Sequence, residues 1–313
     1  MPTTRLSWTH ILRRPAVKVA IGLALIAGVG AALVQGWTDL GKIEWQFQPV
    51  PLAAAFLMLL FVEVALAPVW VIVLRALGGA ITMRQGVRVY LISDLGKYLP
   101  GKVMHALGRV IMLQEYGVAT SISVTSIVVT LALSLMGACL VSLLSLPLLQ
   151  QEQHGVLLLL AVISVPLGLA SLHPAVFGRL LRLGARMMRG AKTELTYQPL
   201  PYRTTLTALA AYILAWVVMA VALFTTAQAL YHIDLAWLPA MAGIAALSYL
   251  FGLAVPIAPY GLGAREGLMT LLLATFMPLP AAAAASVLYR FMGILGEALA
   301  ALVASRLAGA RGA

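Results

Sequence analysis

Long apolar runs alternate along this chain with short segments that carry most of its charge. Six of the runs are about 20 residues long or more, which is the length that an α-helix needs to cross a ~30 Å hydrocarbon layer. The pattern therefore predicts an all-α polytopic membrane protein, with membrane-spanning helices at about residues 16–36, 51–74, 120–149, 155–173, 204–230 and 281–307.

Two further segments, at residues 82–116 and 238–277, contain Gly and Pro in mid-stretch and do not fit a single straight helix. Non-helical backbone at membrane depth is tolerated only where it is buried in protein or lines a water-filled cavity. We therefore predict that each segment forms a re-entrant helical hairpin, which gives about six full spans and two hairpins, often counted as eight.

The composition excludes a soluble globular protein. Of 313 residues, 62% are hydrophobic, against the ~45–50% of ordinary domains. The net charge of +11 comes from basic residues scattered between apolar runs, so no nucleic-acid partner is expected. Cys139 is the single cysteine, which rules out an internal disulfide, and the dispersed histidines offer no metal-binding spacing, so neither a metal nor a cofactor is expected.

Basic residues mark one side of the predicted membrane domain. They precede the first span, follow the second, lie between the fourth and fifth and end the chain, whereas the loops between these hold almost none. Because positively charged loops are retained in the cytoplasm, both termini are predicted to be cytoplasmic.

A three-residue pattern occurs twice at one fixed offset. Gly96, Pro100 and Arg109 each lie 156 residues before Gly252, Pro256 and Arg265, respectively. The same offset relates the predicted spans, so we interpret residues 1–313 as one membrane domain with repeat one at about 16–149 and repeat two at about 155–307. Each repeat has three spans and one hairpin. Since three is odd, the second repeat must be inverted, as in many transporters.

The first irregular segment is a candidate anion site. Pro100 and Gly101 form its predicted turn, and the following helix places Lys102 and Arg109 on one face behind a positively polarised N-terminus. Asp94 and Lys97 precede the turn. An amphipathic surface helix with solvated cations is the alternative interpretation.

The second segment has its predicted turn at Pro259, Gly261 and Gly263, followed by Arg265 and Glu266 in an apolar context. Three more charged residues lie within predicted spans, and intramembrane charges are functional candidates. We expect Arg290 to contact substrate with Lys97, Lys102, Arg109, Arg265 and Glu266, and Glu63, Asp94 and Glu297 to gate or balance charge. The alternative for Glu63 and Glu297 is a structural ion pair, for instance with an arginine.

The motifs SDLGKYLPGK at residues 93–102 and PYGLGAREG at 259–267, together with Arg109, resemble the transmembrane flippase domain of bacterial lysylphosphatidylglycerol synthases, the multiple peptide resistance factor family. The resemblance spans nearly the whole chain and implies a multi-pass protein of the bacterial cytoplasmic membrane. Tyr260 stands where a Gly is usual. The chain resembles a stand-alone member because no aminoacyl-transferase domain follows within its 313 residues, so lipid synthesis is not inferred.

The resemblance implies a lipid flippase, not an enzyme, that moves a phospholipid or another phosphate-bearing lipid between leaflets. Its expected partners are membrane lipids with anionic or zwitterionic headgroups. Assembly into a homo-oligomer is compatible with the sequence, which does not decide the oligomeric state. Three alternatives remain: a small-solute secondary transporter, which inverted repeats also serve, a membrane enzyme of a polyprenyl-phosphate pathway, and a non-transporting assembly subunit.

Overall fold

The structure, a computed structural model, describes residues 46–98, 104–143, 200–254, 261 and 263–309. The described chain is helical. Its helices are α1 (Pro49–Ala76), α2 (Met83–Asp94), α3 (Met104–Gln114), α4 (Thr120–Ser142), α5 (Tyr202–Gln228), α6 (Leu238–Ala254), α7 (Ala264–Leu273) and α8 (Leu279–Gly309). The spans predicted at 16–36 and 155–173 lie outside the described residues.

The other four predicted spans are long apolar helices in the structure. They correspond to α1, α4, α5 and α8, and each is long and apolar enough to cross a membrane. A fifth stretch, Leu235–Leu253, also meets that length and composition, although the sequence placed it in an irregular segment. The chain is therefore a multi-pass, all-α membrane protein.

The first irregular segment folds into a hairpin. Thr82 caps α2 in a capping box with Gln85, and a 3-10 turn over Leu95–Tyr98 ends that arm before α3 returns. The arms have 12 and 11 residues, so each is about 17 Å long, well short of the ~30 Å layer. A Cβ on Gly96 would lie 2.9 Å from the backbone of His105, so the arms cross here only because the residue is glycine.

The second irregular segment forms a corresponding hairpin from α6 and α7. Gly252 and Gly261 bring the arms together, since a Cβ on Gly261 would lie 2.6 Å from Gly252 Cα. The Gly252–Gly261 contact lies 156 residues after the Gly96–His105 contact, at the offset that the sequence pattern predicts. At the open end, the rings of Trp237 and Phe276 are 4.5 Å apart between centroids.

The two hairpins enter the helix bundle from opposite ends. The backbone amide of Gln46, just before α1, donates to the carbonyl of Leu230, just after α5, at 3.1 Å, so α1 begins where α5 ends. The first hairpin follows the far end of α1 after a short turn, which the Arg75 side chain closes by donating to the Ile81 carbonyl at 2.8 Å. The second hairpin follows the end of α5 directly. This is the arrangement expected of an inverted repeat, and the duplication itself stays a prediction.

The end that holds the first hairpin's opening is the basic end of the described bundle. Arg75 lies in the last turn of α1, Arg84 and Arg88 at the start of α2, Arg203 at the start of α5 and Arg306 in the last turn of α8. The opposite connection, at residues 229–237, contains neither Lys nor Arg. The structure therefore keeps the charge asymmetry on which the predicted orientation depends.

Candidate functional site

A cavity of about 210 Å³ is lined by residues of both hairpins, and we refer to it as the central cavity. Helices of both sequence halves line it. Its size corresponds to roughly seven water molecules at ~30 Å³ each, which is room for a polar headgroup but not for acyl chains. The charged and titratable residues that line it are Glu63, Tyr90, Asp94, Lys97, His105, Arg109, Tyr212, Tyr249, Arg265, Tyr289, Arg290 and Glu297.

A buried network of ion pairs joins the first hairpin to α8. The Lys97 ammonium lies 2.5 Å from Asp94 Oδ2 and 2.8 Å from Glu297 Oε1, and the lysine side chain is 5% exposed. The Tyr98 hydroxyl donates to Glu297 Oε2. Glu297 therefore pairs with a lysine and a tyrosine of the described chain, whereas the sequence interpretation suggested an arginine. The sequence had no means of choosing between these cations, since the pair spans 200 positions.

Arg109 completes this network from the returning arm α3. Its Nη2 lies 3.2 Å from Asp94 Oδ1, and its Nε donates to Ser93 Oγ at 3.0 Å. The guanidinium carbon is 4.4 Å from the ring centroid of Tyr90 and 4.8 Å from that of Trp70. Carboxylate, hydroxyl and aromatic faces together stabilise a charge that is buried almost completely.

Glu63 brings a third carboxylate to the network from the middle of α1. One oxygen from each of Glu63, Asp94 and Glu297 lies within 4.8 Å of the others. Three carboxylates can supply oxygen ligands to a hard cation, but the Lys97 ammonium already contacts two of them. Among the residues that the structure describes, Glu63 has no hydrogen bond or ion pair within 4.0 Å.

Arg265, the residue at the offset from Arg109, lines the same cavity from the second hairpin. It lies in the first turn of α7, two residues after Gly263, whose φ of +84° favours glycine. Its side chain is 5% exposed, and its guanidinium carbon lies 5.3 Å from the Tyr249 ring centroid. Within the described ranges, no carboxylate pairs with Arg265, and its Nε has no hydrogen-bond acceptor. The two equivalent arginines therefore differ in the part of the chain that the structure describes, because Arg109 has a carboxylate partner there and Arg265 has none.

The neighbouring carboxylate, Glu266, belongs to a different pair. Its Oε1 lies 3.1 Å from Arg290 Nε, and its Oε2 accepts from the Gly263 amide at 2.6 Å. The Arg290 guanidinium also lies 5.6 Å from the Tyr98 ring centroid. Tyr98 thus contacts both the Glu297 carboxylate and Arg290, and it connects the charged groups of the two hairpins.

The structure brings together most of the predicted site residues. Seven of them line the central cavity, Glu266 pairs with one of these, and Gly261 and Gly263 form part of the second turn. The prediction did not include the aromatic side chains around the cations. The sequence signal that could have indicated them is their distance from charged residues, since Tyr90 lies one helical turn before Asp94 and Tyr289 is adjacent to Arg290. Lys102, Pro100, Gly101 and Pro259 lie outside the described residues.

A comparison with protein families gives one match over most of the chain. The family model described as "Lysylphosphatidylglycerol synthase TM region" matches residues 19–301, which contain both hairpins and the whole central cavity. No curated protein matches this chain.

Proposed function

This chain belongs to the lysylphosphatidylglycerol synthase TM region family, and we propose that it is a lipid flippase, not an enzyme. Membership makes it a membrane domain of a family related to lipid handling. The proposal is that it moves a phospholipid or another phosphate-bearing lipid between the leaflets of the bacterial cytoplasmic membrane, with both termini in the cytoplasm.

A single observation carries this proposal: the buried Arg265 side chain lines the central cavity and has no carboxylate partner in the described chain. A charge in a low-dielectric interior is costly unless it is paired. A phosphate can accept two parallel hydrogen bonds from an arginine, and the amides at the start of α7 add positive potential. We therefore assign Arg265 as the first contact of a lipid phosphate.

The first hairpin supplies a second, competing set of charges. Lys97 and Arg109 are held by Asp94 and Glu297 in this structure. A phosphate that moves from Arg265 toward Arg109 must displace these carboxylates, so Asp94 and Glu297 act as the gating and charge-balancing residues. Glu63, which has no such partner, takes part in the same exchange as the third carboxyl group beside them.

The small volume of the central cavity favours transport of a headgroup with its acyl chains outside. The two hairpins reach the cavity from opposite ends, so access can alternate between the leaflets when one hairpin moves relative to the other. Arg290 and Glu266 lie beside this path, where an anionic or zwitterionic headgroup can exchange with their ion pair.

Fluorescent phosphatidylglycerol in proteoliposomes tests the proposal, with dithionite bleaching used to follow its movement between leaflets. We expect Arg265→Gln and Arg109→Gln each to slow transport at least tenfold, and Arg203→Gln, which changes an exposed arginine at the basic end, to leave it unchanged. Wild-type rates in both cavity variants would contradict the proposal. Uptake of water-soluble glycerol phosphate without lipid movement would favour a small-solute transporter instead.

A further inference from the structure

Glu63 differs from the other carboxyl groups of the central cavity. The Asp94 and Glu297 carboxylates contact the Lys97 ammonium at 2.5 Å and 2.8 Å, and Asp94 also contacts Arg109. These cations favour the ionised form of both groups. Glu63 has no such contact among the described residues, although one of its oxygens lies within 4.8 Å of an oxygen of each. A proton that enters this cluster is therefore taken up by Glu63.

Glu63 and Arg265 line the same cavity. The Arg265 side chain is 5% exposed, and its Nε has no hydrogen-bond acceptor in the described chain, so the cavity contains a buried donor for an anion. A lipid phosphate at Arg265 adds a negative charge to this cavity. At low dielectric an ionised Glu63 repels that phosphate, whereas a protonated Glu63 does not. The binding of a phosphate and the binding of a proton to Glu63 therefore favour each other, because such coupling is reciprocal.

We propose that the protein moves one proton on Glu63 together with each anionic headgroup. This inference rests on the proposed lipid transport and names the ion that is coupled to it. As the phosphate enters from one leaflet, an O–H bond forms between a Glu63 oxygen and a proton from the water on that side. As the phosphate leaves toward the other leaflet, that bond breaks and the proton passes to the water there. A phosphodiester and one proton carry no net charge together, so the membrane potential, which acts on net charge, does not oppose the movement.

Other titratable and charged groups face Glu63 across the cavity. The charged ones among the described residues are Asp94, Lys97, Arg109, Arg265, Arg290 and Glu297, with Glu266 behind Arg290. The lysine and the arginines keep their protons near neutral pH, as do the phenols of Tyr90, Tyr98, Tyr212, Tyr249 and Tyr289. His105 also lines the cavity, and a proton on an imidazole favours an anion in the same direction. The test must therefore separate Glu63 from His105.

A pH gradient across proteoliposomes tests the proposal. Fluorescent phosphatidylglycerol is present as a trace, and dithionite bleaching measures its share in the outer leaflet once movement has ended. We expect the lipid to accumulate in the leaflet on the alkaline side, about tenfold for each unit of pH difference at one proton per lipid. Glu63→Gln should give an even distribution. His105→Gln should accumulate lipid, and so should Glu115→Gln, which neutralises an exposed carboxylate.

The possible outcomes distinguish this inference from the proposed function. A wild-type protein that moves no lipid would contradict both. Lipid movement that ends in an even distribution despite the gradient would overturn proton coupling alone. Accumulation that persists in Glu63→Gln, or that is lost in His105→Gln, would overturn the assignment to Glu63. Protein-free vesicles with the same gradient give the redistribution that occurs without the protein.

Proton uptake on binding provides a measurement that does not require transport. Glycerophosphoglycerol, the soluble headgroup of phosphatidylglycerol, is titrated into the detergent-solubilised protein by calorimetry in buffers of different ionisation enthalpy. We expect wild-type affinity to fall as the pH rises, and binding to take up more protons than in Glu63→Gln. Equal proton uptake by the two proteins at every pH would contradict the role of Glu63. Their melting temperatures check that both are folded.

Discussion

The Lys97 Nζ lies 2.8 Å from Glu297 Oε1, although the two residues are 200 positions apart in the sequence. Their contact joins the turn of the first hairpin to the last described helix, α8. Both side chains are mostly buried. Since the same lysine also holds Asp94, its removal would leave two carboxylates with reduced compensation in a low-dielectric interior.

Lys97→Gln is therefore expected to destabilise the protein by about 3–5 kcal/mol, the usual cost of removing one partner of a buried pair. Adding Glu297→Gln should recover part of that loss, because it removes one of the two carboxylates that Lys97 contacts. Thermal unfolding in detergent measures both effects. A double variant less stable than Lys97→Gln alone would argue against the pairing.

Glu63→Gln is expected to leave the free energy of unfolding close to that of the wild type. Glu63 lies within 4.8 Å of two other carboxylates and has no hydrogen bond in the described chain, so an amide of the same shape breaks no described contact. Asp94→Asn, which takes a carboxylate partner from both Lys97 and Arg109, should instead lose about 3–5 kcal/mol. A Glu63→Gln protein that melts clearly below the wild type would show that this carboxylate has a stabilising partner.

Arg109→Lys tests whether the shape of the guanidinium matters as well as its charge. The single nitrogen of a lysine cannot reproduce the separate contacts of Nε with Ser93 and of Nη2 with Asp94, and an ammonium has no flat face to lay against the rings of Tyr90 and Trp70. We expect a loss of about 1–3 kcal/mol in the free energy of unfolding and slower lipid transport. Arg203→Lys is the matched control, and equal behaviour of the two variants would contradict the role of this geometry.

The sequence predicted the long helices and the breaks between them because those features depend on local composition. Apolar runs such as 204–230 have only one stable environment, and Gly252 and Gly261 lie where two backbones come closest. The partners of each charge were not predictable. Glu297 contacts Lys97 and Glu266 contacts Arg290 only after the hairpins fold against α8, and no local pattern specifies that packing.

The aromatic residues were missed for a different reason. Tyr90 and Tyr249 each have apolar neighbours in the sequence, and the helical spacing of Tyr90 from Asp94 is too weak a signal to separate it from ordinary core packing before a cation is found beside its ring. Likewise, the Ala- and Leu-rich stretch of α6 has the composition of a plain span, and only its contact with Gly261 identifies it as the arm of a hairpin.

Gly261→Ala examines the crossing of the arms in the second hairpin. Gly261 has a φ of +71°, and an added Cβ would lie 2.6 Å from Gly252 Cα, so the arms must separate. We expect a loss of at least 2 kcal/mol in unfolding free energy, combining backbone strain with the steric clash. Gly293→Ala is the control, because a Cβ there meets nothing within 4 Å and alanine favours the helix. Similar melting temperatures for the two variants would show that the close crossing is not needed.

Cysteine labelling tests the opposite entry of the hairpins, on which alternating access depends. Cys139 is buried in α4, and Cys139→Ala gives a background without thiols. Glu115→Cys then marks the open end of the first hairpin and Ala236→Cys that of the second, both at exposed positions. Because the basic end should face the cytoplasm, a membrane-impermeant maleimide should label the Ala236→Cys protein in intact cells and the Glu115→Cys protein only after permeabilisation. Labelling of both from outside would place the hairpins on one side of the membrane, and a single-sided pair could not exchange a headgroup between leaflets.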